Sequence, residues 1–155
     1  MIVSPEVVWS DVWHLGLAYV LALPIGWNRE KEAHSAGLRT FPIVSAAACG
    51  FAMLGAGLPG ISPDSHSRML QGLITGIGFI GGGAILRDKD GVTGTATAAS
   101  VWSIGIVGAA VGLGAIHIAV ILTAINFLTF EVLTPLKHRL DARQSEPRNI
   151  PPSGM

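Results

Sequence analysis

Charged residues are scarce in this sequence, and their scarcity excludes several classes of protein. Only 13% of the 155 residues are Asp, Glu, Lys or Arg, against roughly 25% in a typical soluble domain. Acidic and basic residues balance to a formal net charge of zero, so we expect no nucleic acid partner. Cys49 is the single cysteine, which excludes an internal disulfide, and we interpret it as a buried structural thiol.

Motifs of catalysis are also missing. The sequence contains no G-x-S-x-G, no H-E-x-x-H and no Walker A motif, which mark acyl transfer, zinc proteolysis and nucleotide hydrolysis. The histidines are scattered without the spacing of a zinc site; they are His14, His34, His66, His117 and His138. We therefore expect no enzyme activity and no cofactor, and the identity of any metal ligands stays unknown.

Apolar residues, in contrast, make up half of the chain, and the mean hydropathy is +0.54. They fall into long runs, each near the roughly 20 residues that cross a bilayer. The five runs are Val12 to Trp27, Phe41 to Leu58, Met69 to Leu86, Thr95 to about Gly114, and Ile116 to Leu136. Successive runs of this length are typical of polytopic membrane proteins. The sequence therefore predicts an all-α membrane bundle of five transmembrane helices.

The positions of the basic residues predict the orientation of this bundle. If the chain crosses five times, nine of the ten Lys and Arg residues lie on one side, and Arg68 alone lies on the other. Basic residues concentrate in cytoplasmic loops, so we expect an outer N-terminus and an inner C-terminus. The first run lacks the basic n-region of a signal peptide. We expect residues 1–140 to form a transmembrane domain and residues 141–155 to form a disordered cytoplasmic tail.

Glycines cluster in the third apolar run, in the stretch GIGFIGGG at residues 76–83. Gly76, Gly78 and Gly81 have the G-x-G-x-x-G spacing of a dinucleotide site, which also needs an acidic residue about 20 positions later. Residues 96–100 contain no carboxylate, and the glycines lie inside a run long enough to cross a membrane. The pattern therefore does not favour nucleotide binding.

The same glycines have the spacing of close helix–helix contacts. Gly72 and Gly76 are four residues apart and share a helix face, where small side chains let two backbones approach each other in lipid. The predicted packing residues are Gly72, Gly76, Gly78, Gly81, Gly82, Gly83, Gly108 and Gly112. A local helix break at residues 81–83 is the alternative, because consecutive glycines are poor helix formers.

Charged residues at membrane depth are candidate functional residues. Asp11 and His14 are three residues apart, so they share a helix face near the outer surface. One interpretation is that they bind a cation or pass protons. The other is that they lie in the headgroup region beside an aromatic belt. Glu131 is expected to pair with Lys137 or with an arginine of another loop.

The first loop, NREKEAHSAGLRT at residues 28–40, mixes charges of both signs. An Arg–Glu pair near the membrane surface can fix two helix ends, and a simply solvated loop is the alternative. Gly37 is expected to permit the turn before the second helix. The candidate residues of this loop are Arg29, Glu30, Arg39 and Thr40. Three polar residues of later runs, Gln71, Thr97 and Ser100, are expected to hydrogen-bond within or between helices, with an ion path as the alternative.

Three stretches together resemble the MgtC/SapB family of bacterial inner-membrane proteins. They are REKEAHSAGLRT at 29–40, QGLITGIGFIGGGAILR at 71–87 and GVTGTATAASVWSIGIVGAAVGLG at 91–114, in the family's order and spacing. The family pattern has an Arg-Glu loop ending in GLRT, a G-x-G-F-x-G-x-G helix and a T-T-A-A-S segment. The residues at those places are Arg29, Glu30, Gly37, Leu38, Arg39, Thr40, Gln71, Gly76, Gly78, Phe79, Gly81, Gly83, Thr97, Ala98, Ala99 and Ser100.

The chain departs from the family pattern in two places. Thr95-Ala96-Thr97 partly replaces the adjacent threonine pair, and Asn28 stands where the family often has an acidic residue. Some members carry a soluble cytoplasmic domain after the membrane part, and we expect this chain to be a short form that lacks it.

The resemblance implies an inner-membrane location, a link to Mg²⁺ limitation and a role in bacterial survival in hosts. Two mechanisms stay open. In the first, glycine faces associate with a second copy or with another inner-membrane complex such as the ATP synthase. In the second, the protein is a transporter or channel for a cation such as Mg²⁺. Because Mg²⁺ prefers carboxylates and few lie at membrane depth, the sequence favours the first. The expected partners are membrane lipid and a second copy of the chain.

Overall fold

The computed structural model describes residues 4–32, 36–60, 62–89 and 91–144, most of which are helical. Five helices follow one another in these segments: α1 (Pro5–Glu32), α2 (Thr40–Gly57), α3 (Pro63–Gly83), α4 (Thr95–Gly112) and α5 (Ile116–Gln144). Each contains all or most of one predicted apolar run. The predicted all-α bundle of five helices is confirmed.

Four of the described helices, α1, α2, α4 and α5, are long and apolar enough to cross a membrane. The remaining helix, α3, has 21 residues, but its first turns carry Asp64, His66 and Arg68 and its last turn consists mostly of glycine. Its apolar stretch is therefore shorter and weaker than those of the other four helices.

The two outer helices extend well past their apolar runs. α1 has 28 residues and α5 has 29, which at 1.5 Å per residue makes each about 42 Å long. The hydrocarbon core of a bilayer is only about 30 Å thick, so the helix ends reach into the headgroup regions. α5 continues to Gln144, four residues into the predicted tail. The rest of that tail, residues 145–155, lies outside the described residues.

The connection between α3 and α4, which joins the third and fourth apolar runs, is a short β-hairpin. β1 (Leu86–Asp88) pairs antiparallel with β2 (Gly91–Thr93). The helix α3 therefore ends at Gly83, before the predicted end of its apolar run, because Leu86 belongs to a strand. Gly94 follows the hairpin with φ 81°, a left-handed conformation that favours glycine. This turn directs the chain into α4.

α4 lies at the centre of the bundle and contacts each of the other four helices. Its inward side chains, among them Val101, Ile104 and Val107, are almost completely buried. α1 and α5 instead expose large apolar side chains such as Trp9 and Ile121. Such a surface is unfavourable in water and suits a lipid environment. With the four apolar helices, this burial pattern is that of a multi-pass membrane protein.

Glycines of α4 form the closest contacts between helices. A methyl group added at Gly108 would overlap the Ser45 carbonyl of α2, and Gly112 approaches α2 as closely one turn later. Gly105, which its sequence spacing did not single out, faces the side chain of Ile77 of α3. Without Gly108 and Gly112, α4 would have to move away from α2; a side chain at Gly105 would displace that of Ile77.

Most glycines of α3 have open surroundings instead. Gly81 is buried and faces the backbone of Ala98 in α4. A methyl group added at any of the other predicted packing glycines of α3 would meet nothing within 4 Å; these are Gly72, Gly76, Gly78, Gly82 and Gly83. Residues 81–83 form the last turn of α3 rather than a break inside it. A packing role for the open glycines stays a prediction that requires a helix from outside this chain.

Candidate functional site

The end of α1 carries an arginine that is almost completely buried. Arg29 is 4% exposed, and its guanidinium carbon lies 4.1 Å from the centroid of the Phe130 ring of α5. A cation over an aromatic face is attracted by the electrons of the ring, more strongly when water is excluded. The group of residues around this contact is named the Arg29 cluster; it consists of Asn28, Arg29, Glu30, Leu38, Phe130 and Glu131.

Glu30 connects α1 to the segment that enters α2. Its Oε2 accepts a hydrogen bond from the backbone N–H of Leu38 at 3.0 Å. The Gly37 carbonyl in turn accepts the N–H groups of Thr40 and Phe41 at 3.0 and 3.1 Å, which begins the first turn of α2. The carboxylate therefore lies near the amino end of α2, where the helix dipole favours negative charge.

Gly37 is required for a different reason from the one that the sequence suggested. Its backbone lies outside the left-handed region, since the positive-φ glycines are Gly60, Gly91, Gly94 and Gly114. A methyl group added at Gly37 would instead overlap the carboxylate of Glu30. Glycine at this position thus makes room for the side chain that holds Leu38, rather than providing a special turn.

Glu131 connects the end of α1 to α5. Its Oε1 accepts a hydrogen bond from Asn28 Nδ2 at 3.2 Å. The expected partners were Lys137, whose side chain lies outside the described part of the chain, or an arginine of another loop. Since Phe130 and Glu131 contact two successive residues of α1, the end of α1 is attached to α5 by a ring contact and a hydrogen bond.

Buried polar side chains begin α4. Thr97 and Ser100 are almost completely buried, and Ser100 Oγ donates to the Ala96 carbonyl of its own helix at 2.6 Å. Between helices, Asn126 Nδ2 of α5 donates to Ser103 Oγ at 2.7 Å. These are the two kinds of hydrogen bond expected for polar groups in lipid, where water does not satisfy them.

The remaining candidates lie apart from the Arg29 cluster. Arg39 is exposed at the start of α2. Gln71 is exposed on α3, and its backbone carbonyl oxygen accepts a hydrogen bond from Thr75 Oγ1 at 2.8 Å. Asp11 is half-buried at the opposite end of α1. Nearby, His14 Nδ1 lies 2.8 Å from the Ser10 carbonyl oxygen of its own helix. Among the described residues, no three His, Cys, Asp or Glu side chains converge as metal ligands do.

The structure thus joins some predicted residues and separates others. Arg29 and Glu30 are neighbours in one cluster, as their spacing suggested; Arg29 contacts the Phe130 ring, and Glu30 accepts a hydrogen bond from the Leu38 N–H. Phe130 was not a candidate. Its only sequence signal is its position in the last apolar run, directly before Glu131.

Comparison with known proteins assigns the chain to a family. A sequence model of the MgtC family matches residues 15–139. Protein SrpB of Synechococcus elongatus is 31% identical over an alignment that covers 97% of this chain and 90% of that protein. Protein MgtC of Brucella abortus is 33% identical, with 86% of this chain and 57% of the relative covered. Protein MgtC of Salmonella typhi is 32% identical, with 90% and 61% covered.

The match extends across the described helices, from the middle of α1 to the end region of α5. This chain spans less than two thirds of the length of the two MgtC relatives but nine tenths of SrpB. No solved structure shows significant similarity to it. The resemblance noted from the loop and glycine motifs is confirmed, and the chain belongs to the MgtC family.

Proposed function

We propose that this protein is an integral inner-membrane protein linked to Mg²⁺ homeostasis that acts by helix–helix association rather than by catalysis. The association is with a second copy of the chain or with another inner-membrane complex. The Mg²⁺ link is what the family resemblance implies. The observation that carries the association is the open outward face of α3.

The outward face of α3 consists of Gly72, Gly76, Phe79 and Gly83. These positions are four, three and four residues apart, so they share one side of the helix. Phe79 is 85% exposed, whereas Ile77, about 200° around the helix, is buried against the bundle. The face therefore points away from α4 and is available to another helix.

Lipid covers this face poorly. Glycine offers acyl chains little side-chain surface, but it lets a second helix approach to contact distance. Phe79 projects between Gly76 and Gly83, as a knob that can enter the shallow surface of a facing helix. Gln71 and Thr75 are exposed on the same helix, and a partner helix can offer them hydrogen bonds that lipid cannot.

The Arg29 cluster supports this role indirectly. It holds the ends of α1, α2 and α5 together through the Glu30–Leu38 and Asn28–Glu131 hydrogen bonds. The core helix α4 packs on this assembly by backbone contact at Gly108. A bundle fixed in this way presents α3 at a defined position, which favours docking over the formation of a path through one chain.

Cation transport is the alternative mechanism, and one feature favours it: Asp11 is a half-buried carboxylate in a membrane-spanning helix. Mg²⁺ retains several waters and takes one or two carboxylates from a protein. Within the described residues, however, Asp11 and Glu131 lie at opposite ends of the bundle. A path for Mg²⁺ would therefore need carboxylates from more than one copy.

The association is tested with the purified full chain in liposomes. Donor- and acceptor-labelled copies are mixed, and energy transfer is measured while the protein is diluted with lipid. The decisive variant is Gly76→Leu, because a side chain at this position meets no atom of its own chain within 4 Å. Gly16→Leu on α1 is the matched control, since its surroundings are equally open.

We expect Gly76→Leu to weaken self-association by about tenfold or more, which corresponds to about 1.4 kcal/mol, and Gly16→Leu to leave it unchanged. Unaltered energy transfer for Gly76→Leu would remove the assigned role of the α3 face. The same liposomes, loaded with a Mg²⁺-sensitive dye, report transport. Mg²⁺ flux that Asp11→Asn abolishes would favour the alternative mechanism.

A further inference from the structure

A groove separates α1 from α2 at the end where α1 begins and α2 finishes. Its walls are apolar, and Asp11 supplies its single charged side chain. The residues that line it are Val7, Asp11 and Leu15 of α1, together with Gly50, Met53, Leu54, Gly57 and Leu58 in or directly after α2. The two glycines of the α2 wall keep the groove open, because neither has a side chain to fill it.

Asp11 lies at the depth where lipid headgroups meet hydrocarbon. It is six residues from the start of α1, or about 9 Å along the helix axis. Because α1 exceeds the hydrocarbon thickness by about 12 Å, a centred helix places this carboxylate a few ångströms inside the boundary. Leu15 and Gly50 lie one turn deeper, opposite each other, so the apolar part of the groove continues into the hydrocarbon.

The chemistry of the groove selects one kind of occupant. Among the described residues, no basic side chain lines it, and Asp11 is its one charged lining residue. A divalent cation here would have Asp11 as its one acidic ligand and would depend on water for most of the others, since no cluster of three acidic, His or Cys side chains exists among the described residues. A primary ammonium needs only one carboxylate, to which it donates charge-assisted hydrogen bonds.

We infer that this groove binds a phospholipid with a primary ammonium headgroup, phosphatidylethanolamine. The ammonium donates to the Asp11 carboxylate, and one acyl chain lies between Leu15 and Gly50. Phosphatidylcholine has the same net charge, but its trimethylammonium is bulkier and carries no N–H donor, so it cannot donate a hydrogen bond to the carboxylate. This lipid site is separate from the α3 face, and either can exist without the other.

Native mass spectrometry of the detergent-purified full chain tests the site. Phosphatidylethanolamine and phosphatidylcholine with identical acyl chains are added in turn, and the bound fractions are compared. We expect a preference of roughly fivefold for phosphatidylethanolamine, the size of one partly exposed charge-assisted contact. Asp11→Asn should abolish the preference. Glu6→Gln, which removes an exposed carboxylate of α1 outside the groove, should retain it.

A second variant tests the apolar part of the groove. A side chain added at Gly50 reaches Leu15 Cδ2 at 3.5 Å, an ordinary contact, so Gly50→Leu fills the groove and should weaken binding of both lipids. Gly16→Leu, on another face of α1, should not. Equal binding of the two lipids by the unaltered protein, or an intact preference in Asp11→Asn, would overturn the inference. So would displacement of phosphatidylethanolamine by MgCl₂, since the carboxylate would then hold a metal ion.

Discussion

Replacement of Gly108 by alanine tests whether α4 and α2 touch backbone to backbone. The added methyl group would overlap the Ser45 carbonyl oxygen and would lie 2.7 Å from its carbonyl carbon and 2.9 Å from its Cα. All three atoms belong to the main chain, so no side-chain rotation relieves the overlap. The two helices must separate locally, which also disturbs the hydrogen bond of 2.8 Å from Ser45 Oγ to the Ala18 carbonyl of α1.

The expected cost follows from these contacts. An extra methyl group in a well-packed interior destabilises by about 1–3 kcal/mol, and weakening of a buried hydrogen bond adds about 1 kcal/mol. Alanine recovers part of this loss, because it is a better helix former than glycine by about 1 kcal/mol. We therefore expect Gly108→Ala to destabilise the protein by roughly 1–3 kcal/mol.

Gly76→Ala is the matched control, because it makes the same substitution where a methyl group meets no atom within 4 Å. In the isolated chain we expect it to be neutral or stabilising by up to about 1 kcal/mol. Both variants are unfolded reversibly in mixed micelles of increasing SDS content and followed by circular dichroism and tryptophan fluorescence. If Gly108→Ala were as stable as Gly76→Ala, the close approach of α4 to α2 would be refuted.

Three further substitutions test the first loop, the Arg29 cluster and the turn between the hairpin and α4, each by the same unfolding measurement. Gly37→Ala should destabilise by about 0.5–1.5 kcal/mol, because the Glu30 carboxylate must turn away from the added methyl group and lose its hydrogen bond from the Leu38 N–H, and less when Glu30→Ala is also present; additive effects would contradict the contact. Phe130→Leu should cost about 0.5–2 kcal/mol by removing the ring beneath Arg29, and an effect no larger than that of Phe127→Leu on the same helix would argue against a specific ring contact. Gly94→Ala should cost at least about 1 kcal/mol because of its φ of 81°, whereas an unchanged stability would mean that the turn adapts.

The helices could be predicted because their signals are local. Each apolar run consists of consecutive residues, and its length is close to that of a helix that crosses the hydrocarbon core of a bilayer. Five runs therefore predicted five helices. A helix boundary is harder to predict where two signals compete, as at the end of α3. Leu86 continues an apolar run, yet it lies in β1, because backbone pairing across the hairpin is invisible in a hydropathy pattern.

The contacts of the glycines could not be predicted from their spacing in the sequence. Gly76 and Gly108 have the same spacing relative to a second glycine, but one faces open space and the other the backbone of α2. Spacing identifies a face on which helices can approach, but it does not say which helix arrives there. Which helix packs on a given glycine face depends on the arrangement of all five helices.

The Arg29 cluster, too, could be predicted from the sequence only in part. The sequence by itself determined that Arg29 and Glu30 lie between the first and second apolar runs, in a stretch interpreted as a loop, whereas in the structure α1 continues through both of them to Glu32. Only the tertiary structure decided that Phe130 and Glu131, about 100 residues later, lie beside Arg29 and Asn28. Contacts between distant segments depend on how the helices pack, and helix packing in lipid depends on complementary surfaces that no single segment contains.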